Sequence, residues 1–319
     1  MAFKSKALLF SAGMLCALAA QAQSYPSRTI TLVVPFPPGG AADATARILA
    51  DDFSQRLGQQ VVVENQNGAG GTIGTARVAR AKPDGYTLLL NNMSQSTVNV
   101  FYDNLPYDTL KDFASIGSVA YVPMMLVATK GFPADDPAAA LRYIKANPQR
   151  ISMATNGQGS VTEVCSRLIQ RALGVRDLME VPYKGSGPAL IDVIGGQVDL
   201  ACDSSPSTQG YLNGGKLKAF AMTSAQRDAS VPDVPTFKEL GYDMDLSLWF
   251  ALYAPAGTPK DVVGTLAQAL QAAVADPKFG QRMTGLGAYP EKQAEATPQA
   301  LDVRMRSEVQ RWRALFRKD

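Results

Sequence analysis

The sequence predicts an α/β fold of two domains, in which parallel sheets are covered by helices on both faces. Short β-branched runs alternate with stretches of helical periodicity along the chain, and this is the pattern of successive β–α–β units. Proline stands where helices should begin and glycine where they should end. The length of 319 residues corresponds to two domains of about 150 residues each.

The predicted elements follow this alternation. Strands are predicted at 30–35, 60–64, 86–91, 115–121, 124–129, 150–155, 178–181, 198–202, 217–223 and 248–254. Helices are predicted at 41–57, 74–81, 137–146, 161–173, 187–195, 259–275, 277–284 and 298–317. Prolines 137, 259, 277 and 298 suit the first helical turn, where a missing N–H costs nothing. No Ser/Gly linker is present, so we expect the chain to cross between the domains in strands, near 118–125 and 245–250.

Residues 1–22 have the features of a secretory signal peptide. Lys4 and Lys6 precede an almost purely apolar stretch at 7–20, and Ala20-Gln21-Ala22 provides small residues for cleavage. The apolar stretch is shorter than the roughly 20 residues of a membrane-spanning helix. Leu15 stands before Cys16, where a lipoprotein signal has a small residue. We therefore expect an exported protein that does not insert into the membrane.

The composition excludes several classes of function. The formal net charge is +3, too small for a nucleic-acid-binding footprint. The chain has no histidine, which removes Ser-His-Asp and Cys-His catalysis and zinc sites that need imidazole. After export only Cys165 and Cys202 remain. They can form a disulfide in an oxidising compartment or stay as two buried thiols, and both alternatives remain open. We expect no metal and no cofactor.

The loop "PFPPGGAAD", residues 35–43, leads from a strand into a helix. Pro37 and Pro38 stiffen the exit from the strand, and Gly39 and Gly40 let a ligand approach the backbone. No Ser, Thr or Asn caps the helix, so its first N–H groups are free for an anion. The alternative is a plain strand–helix turn in which Asp43 is the cap.

A second loop, "NGQGSVTE" at residues 156–163, also precedes a helix. Ser160 to Glu163 fits the S-x-x-E capping box, in which Glu163 accepts a hydrogen bond from the Ser160 N–H. A ligand-facing helix N-terminus is the functional alternative. A third loop, "NGAGGTIG" at residues 67–74, lacks the acidic residue of a dinucleotide site and the G-K-[ST] of a P-loop. We interpret it as a close-packing loop that lines a cleft.

Six segments resemble one known family. They are "YPSRTITLVVPFPPGG", "VVVENQNGAGGTIGTARVARAKPDGYTLLL", "VPYKGSGPAL", "IGGQVDL", "TSAQRDASVPDVPTFKELGY" and "WFALYAPAGTP". In order and spacing they resemble the Bug-type extracytoplasmic receptors of tripartite tricarboxylate transporters, from about residue 25 to residue 317. The resemblance implies a periplasmic-binding-protein-like fold of two doubly wound α/β domains, joined by crossover strands, with a ligand cleft between them. The implied domains are 23–122 plus 247–319, and 123–246.

The resemblance also implies a periplasmic, monomeric binding protein that is not an enzyme. It would capture a small carboxylate with backbone amides of two opposed loops and deliver it to membrane transporter subunits. The implied ligand-binding residues are Phe36, Pro37, Gly39, Gly40, Ser94, Gln95, Gly157, Gln158, Gly159, Ser160, Glu163, Tyr183 and Asp203. A ligand-sensing adaptor for a membrane sensor kinase is the alternative function, because both roles need an exported receptor that closes on its ligand.

Glu163 departs from the family pattern, since many members have histidine at this place in the second loop. A carboxylate there would repel a dianion and could occupy a backbone donor. This substitution favours a ligand with an amino or amide group, such as an amino acid, over a simple dicarboxylate.

Overall fold

The computed structural model describes residues 25–316, so the predicted signal peptide lies outside the described residues. The strands are β1 (Ile30–Val34), β2 (Val61–Asn65), β3 (Thr87–Asn92), β4 (Phe113–Thr129), β5 (Ser152–Thr155), β6 (Met179–Pro182), β7 (Leu200–Ser204), β8 (Leu217–Met222), β9 (Ser247–Pro255) and β10 (Tyr289–Pro290). The α-helices are α1 (Ala41–Leu57), α2 (Thr72–Ala79), α3 (Ser94–Phe101), α4 (Pro137–Ala146), α5 (Val161–Leu173), α6 (Ser186–Ile194), α7 (Ser205–Asn213), α8 (Lys260–Val274), α9 (Pro277–Thr284) and α10 (Pro298–Phe316).

The strands form one continuous sheet in the order β2-β1-β3-β9-β4-β7-β5-β6, with β8 and β10 also paired to β4. At one end β1 runs parallel to β2 and β3. At the other end β5 runs parallel to β6 and β7. Between these groups, β9 and β4 are antiparallel to their neighbours. The predicted α/β class with parallel strand groups is confirmed.

Strand β4 connects the two groups of strands. Its residues 113–123 pair with β9, and its residues 124–129 pair with β7 and β8. The prediction of two separate strands here was wrong. Pro123 lies at the point where β4 changes from pairing with β9 to pairing with β7 and β8. Because of this position, the missing N–H of Pro123 does not interrupt the strand. The chain passes from one group to the other in β4. The second expected crossing, near 245–250, and the domain boundaries after 122 and 246 stay predictions.

Both faces of the sheet are buried. Along β4, Met124, Leu126 and Ala128 belong to the larger apolar core. The alternate residues Met125 and Val127 belong to a second, smaller core. Since successive side chains of a strand point to opposite faces, apolar layers cover this strand on both sides, as in doubly wound folds.

Four helices begin and end at their predicted residues, namely α1, α4, α5 and α9. Gly58 and Gly174 end two of them in the left-handed conformation, with φ of 66° and 67°. Asp136 and Asp276 cap the other two, since each side chain accepts a first-turn N–H. Local capping chemistry therefore determines these bounds.

Helices α3 and α7 were not predicted. Both are short and rich in Ser and Thr, which compete with the backbone for hydrogen bonds and have low helix propensity. Tertiary contacts stabilise α3, because the Trp312 indole N–H donates to Ser96 Oγ at 3.1 Å. In α7, Pro206 lies in the first turn and Thr208 Oγ1 donates to the Ser204 carbonyl at 3.1 Å.

Cys165 and Cys202 form a disulfide, with their Cα atoms 6.2 Å apart. The bond joins α5 to β7, and both cysteines are fully buried. Of the two alternatives that the sequence leaves open, the structure has the disulfide. The crosslink fixes α5 against the sheet, close to the loop that precedes this helix.

Candidate functional site

A cavity of about 900 Å³ opens where the loops and helices after β1, β2, β3, β5, β6 and β7 meet. Lining residues from the two ends of the sheet are Phe36–Ala42, Asn67–Gly71, Asn92, Ser94, Asn156, Ser160–Thr162, Tyr183–Pro188 and Asp203–Ser204, together with Pro206, Ser207, Tyr211, Met124, Leu190, Leu248, Phe250 and Pro35. Among these, Lys184 and Asp203 are the charged residues. A ligand in this cavity therefore meets mostly backbone, hydroxyl and apolar groups.

The predicted site residues divide into two groups. Eight line the cavity: Phe36, Pro37, Gly39, Gly40, Ser94, Ser160, Tyr183 and Asp203. The other five, which are Gln95, Gly157, Gln158, Gly159 and Glu163, are not among its lining residues. Four of these five come from the second predicted loop. The glycine loop at 67–71 also lines the cavity, as predicted from its sequence.

The loop before α1 exposes a helix N-terminus to the cavity. Gly39 has a φ of +84°, and the helix cap Gly40 is extended, with no side chain capping the helix. Within residues 25–316, no backbone acceptor is found for the N–H groups of Gly40, Ala41 and Ala42. Such groups, together with the positive end of the helix dipole, favour an anion.

Asp43 holds this loop in place without capping the first turn. Its Oδ2 accepts from the Gly39 N–H at 3.0 Å and from Arg47 Nε at 3.0 Å, and its Oδ1 accepts from Asn65 Nδ2 at 3.0 Å. Burial alone would raise the pKa of Asp43, but these hydrogen bonds hold it below its ordinary value. Asp43 stays ionised and fully bonded, so it does not compete for the N–H groups at the cavity.

Two further helices begin at the cavity without side-chain caps. Helix α6 follows Gly185, and helix α7 follows Ser204; neither cap residue accepts a side-chain capping bond. Gly185, Ser186 and Gly187 line the cavity, as do Ser204 and Ser207. The N-termini of α1, α6 and α7 therefore face one cavity. In the sequence, the sign of an uncapped α6 N-terminus is Gly185, which has no side chain to cap the helix. The α7 N-terminus was not predicted, because helix α7 itself was not predicted.

The loop before α5 differs from the expected capping box in one bond. Ser160 Oγ accepts from the Glu163 N–H at 3.2 Å, as the motif requires. Glu163 Oε2, however, accepts from the N–H of Gly159 at 2.7 Å instead of that of Ser160. The Ser160 N–H donates to the Gly157 carbonyl at 3.2 Å, because residues 157–160 form a turn. Arg167 binds the other oxygen of Glu163 at 2.7 Å.

Residues 157–160 contact the other end of the molecule. Thr97 Oγ1 donates to the Gly159 carbonyl at 2.9 Å, and Tyr102 OH donates to the Gln158 carbonyl at 3.2 Å. A Cβ on Gly159 would lie 3.1 Å from the ring of Tyr102. Gly159 therefore packs closely against α3 and the residue that follows it, and Ser160 is the residue of this turn that lines the cavity.

Asp203 is a buried acid in the cavity wall, 4% exposed. Its Oδ1 accepts from the Ser204 N–H at 2.7 Å and from Ser204 Oγ at 3.3 Å. Burial raises the pKa of Asp203, although hydrogen bonds from Ser186, Ser204 and Ser207 act in the opposite direction. The carboxyl therefore lacks enough stabilisation for its charged form.

Tyr183, Ser94 and Gln95 complete the predicted set. The Tyr183 hydroxyl donates to Asp192 Oδ2 at 2.6 Å, and this bond raises the pKa of Tyr183 to about 12. The Ser94 N–H donates to Asn92 Oδ1 at 2.8 Å. Gln95 is 1% exposed and accepts from Asn91 Nδ2 at 2.8 Å, so its side chain supports α3 from behind the cavity wall.

No three Cys, Asp or Glu side chains between residues 25 and 316 are grouped as metal ligands. No helix in this range is long and apolar enough for a membrane crossing. The cavity with its helix N-termini is thus the feature from which a function can be inferred.

Comparisons with known proteins show which family this chain resembles. Residues 45–318 match the family model described as "Tripartite tricarboxylate transporter family receptor". Protein BugT of Bordetella pertussis is 37% identical over 300 residues, covering 93% of this chain and 91% of its own. The solved structure of periplasmic binding protein BugD is 44% identical and covers 92% and 97% of the two chains, with a TM-score of 0.85. MatC from Rhodopseudomonas palustris, solved with bound malate, is 35% identical, with coverages of 92% and 100% and a TM-score of 0.85.

Proposed function

The chain belongs to the tripartite tricarboxylate transporter receptor family, and we propose that it captures a small carboxylate-bearing metabolite in this cavity. The family is one of solute-binding receptors and not of enzymes. The proposed ligands are small organic acids, amino acids and acids that carry an amide. The receptor would deliver its ligand to the membrane subunits of a transporter of this family.

The three helix N-termini at one cavity carry this proposal. Cationic side chains and backbone N–H groups at helix N-termini provide the positive potential that stabilises a carboxylate. The cavity has one lysine, no arginine and three uncapped helix starts. Backbone amides are therefore the main source of positive potential for an anion. The bound malate of MatC is an acid of the proposed class.

Residues from both ends of the sheet contribute to the cavity, so we infer that the ligand is enclosed between two lobes. The proposed lobes are the domains 23–122 plus 247–319, and 123–246. The α1 N-terminus comes from the first lobe, and the α6 and α7 N-termini come from the second. Hinge motion in β4 and β9 would bring them onto the two ends of one ligand.

We infer an extracytoplasmic location for the mature chain. Its relative BugD is a periplasmic binding protein, and residues 1–22 have the pattern of a cleavable signal. The buried disulfide between Cys165 and Cys202 fits an oxidising compartment.

A thermal-shift screen of the mature protein tests the proposal. A ligand that binds only the folded state raises the apparent stability by mass action. We expect some mono- and dicarboxylic acids, amino acids or their amides to raise Tm, and uncharged sugars of similar size to leave it unchanged. Small-angle scattering should then give a smaller radius of gyration with the best ligand. A screen in which no acid shifts Tm would contradict the proposal.

A further inference from the structure

The end of α3 touches the turn before α5, and this contact joins the two proposed lobes. Gln158 Nε2 donates to the Phe101 carbonyl at 2.5 Å. In the opposite direction, Tyr102 OH donates to the Gln158 carbonyl at 3.2 Å. Thr97 Oγ1 likewise donates to the Gly159 carbonyl at 2.9 Å. Both segments supply donors and acceptors, so the two cannot separate without breaking these hydrogen bonds.

An arginine on α5 adds to this contact. The guanidinium carbon of Arg167 lies 4.8 Å from the ring centroid of Phe101, a distance at which the cation is attracted to the face of the ring. Glu163 holds the arginine in place, since its Oε1 accepts from Arg167 at 2.7 Å. The Phe101 ring also packs against Phe316 of α10, with the ring centroids 6.1 Å apart. We use the name interlobe contact for the following six residues: Thr97, Phe101, Tyr102, Gln158, Gly159 and Arg167.

The interlobe contact lies outside the cavity. Within residues 25–316, the cavity is lined by residues other than these six. The two lobes approach closely at the contact, since a Cβ on Gly159 would lie 3.1 Å from the ring of Tyr102. A Cβ on Gly70 would lie 2.8 Å from the Gln158 carbonyl. A ligand in the cavity therefore meets other groups, while these residues meet each other.

The position of the contact determines what it can do to binding. Strand β4 joins the two lobes, so a hinge motion that opens the cavity would break the interlobe contact. The contact therefore stabilises the closed arrangement alone. An apparent Kd equals the intrinsic Kd divided by the fraction of molecules in the binding-competent arrangement. Since the contact changes this fraction and leaves the cavity wall unaltered, it should change the affinity for every ligand by the same factor.

We propose that the interlobe contact controls how long the receptor retains its ligand, whichever acid occupies the cavity. This inference rests on the proposed function, because it presupposes that a ligand is enclosed between two lobes. Thr97, Tyr102 and Gln158 are positioning residues, since they act on the lobes and not on the ligand. The turn before α5 thereby acquires a role away from the ligand. Gly159 leaves room for the ring of Tyr102, and Glu163 orders the turn through the Gly159 N–H.

Release of radiolabelled acids from the mature protein tests the inference. The probes are malate, adipate and glutamate, each chased with an excess of the same unlabelled acid. The variant Tyr102→Phe/Gln158→Ala removes one hydroxyl and one amide from the interlobe contact. We expect it to release every acid that the wild type binds at least about tenfold faster, since one ordinary hydrogen bond corresponds to a factor of about five. The association rate should change little, because the open receptor presents the same cavity wall.

Tyr143→Phe/Gln310→Ala is the matched control. It removes the same chemical groups from α4 and α10, at positions that belong neither to the cavity wall nor to the interlobe contact. Its release rates should equal those of the wild type.

A second pair of variants separates positioning from stability. Thr97→Val removes the hydroxyl that donates to the Gly159 carbonyl, whereas Thr97→Ser keeps a hydroxyl there. We expect faster release of every bound acid from the valine variant and a rate near that of the wild type from the serine variant. A residue with a merely structural role would lower Tm of the ligand-free protein without changing the release rate.

The outcomes separate this inference from the proposed function. Wild-type release rates from Tyr102→Phe/Gln158→Ala would overturn the inference and leave the function intact. An effect confined to one acid would also overturn it, since the residues would then act on the ligand itself. If the wild type binds none of the three acids, the proposed function fails for acids of this size, and the inference fails with it. The Thr97 pair decides in the same way if the double variant does not fold.

Discussion

The backbone N–H of Gly159 donates a hydrogen bond of 2.7 Å to Oε2 of Glu163. The same arrangement occurs at α1, where the Gly39 N–H donates to Asp43 Oδ2 at 3.0 Å. In both helices an arginine four residues later binds the carboxylate. The two helix starts therefore use one device, in which a buried acid orders the glycine loop before it. We therefore explain the presence of glutamate at position 163 by its role in holding the loop before α5 in this conformation.

Glu163→Gln should leave ligand selectivity unchanged. Glu163 is 6% exposed, both its oxygens are bonded, and it is outside the cavity wall. Glutamine can still accept from Gly159 but loses the ion pair with Arg167, so we expect a stability loss of about 0.5 kcal/mol. Urea unfolding and titration with a diacid and its amino acid measure both effects. A gain in relative affinity for the diacid would show instead that Glu163 repels the ligand.

Gly39 and Gly40 should respond differently to a side chain. Gly40 has a φ of −87°, and a Cβ there would meet nothing closer than the Pro37 carbonyl at 3.9 Å. Gly40→Val should therefore fold with little change in Tm, yet bind poorly, because its side chain occupies the anion site. Gly39, with a φ of +84°, has a conformation that costs other residues about 1–2 kcal/mol.

Gly39→Val and Gly40→Val serve as controls for one another, because they should affect different quantities. Gly39→Val should lower Tm of the ligand-free protein, whereas Gly40→Val should lower affinity in calorimetric titration. Normal affinity of a folded Gly40→Val would place the ligand away from α1. Unfolding of Gly40→Val would instead assign that glycine a purely structural role.

Local chemistry made part of this structure predictable. Helix α5 spans Val161–Leu173 because Ser160 and Gly174, which cap its two ends, have strong capping preferences. The uncapped start of α1 followed from the lack of any such residue. The partner of Glu163 could not be predicted. It depends on a turn at 157–160 that α3 contacts from a distant part of the sequence. Helix α7 was missed for a similar reason, since its Ser-rich start is helical only in its packed context.

Loss of the disulfide should destabilise the protein strongly. The bond between Cys165 and Cys202 closes a loop with a sequence separation of 37 residues, for which the chain-entropy estimate is about 4 kcal/mol. The double variant Cys165→Ala/Cys202→Ala avoids burying hydroxyl groups at two fully buried positions. We expect a lower urea midpoint for this variant. The wild type in strong reductant is the control, and an unchanged midpoint in both would show that the bond contributes little.

Asp203→Asn should change the pH dependence of stability in a defined direction. Burial raises the pKa of Asp203 in the folded state above its ordinary value of 3.8. Ser186, Ser204 and Ser207 contact the carboxyl, and Lys184 lines the same cavity. An acid with a raised pKa contributes stability that is fully present below its unfolded pKa and is lost as pH rises through its folded pKa. As pH rises above the unfolded pKa, the wild type therefore loses stability that the asparagine variant keeps.

Thermal unfolding of the ligand-free proteins between pH 4 and pH 8 measures this effect. We expect Tm of Asp203→Asn minus Tm of the wild type to increase with pH, since all other titrating groups are common to both proteins. Asp135→Asn is the control for the removal of one carboxyl group from the surface, since that side chain is 93% exposed. A pH-independent difference for Asp203→Asn would mean that its carboxyl is as well solvated in the fold as in the unfolded chain.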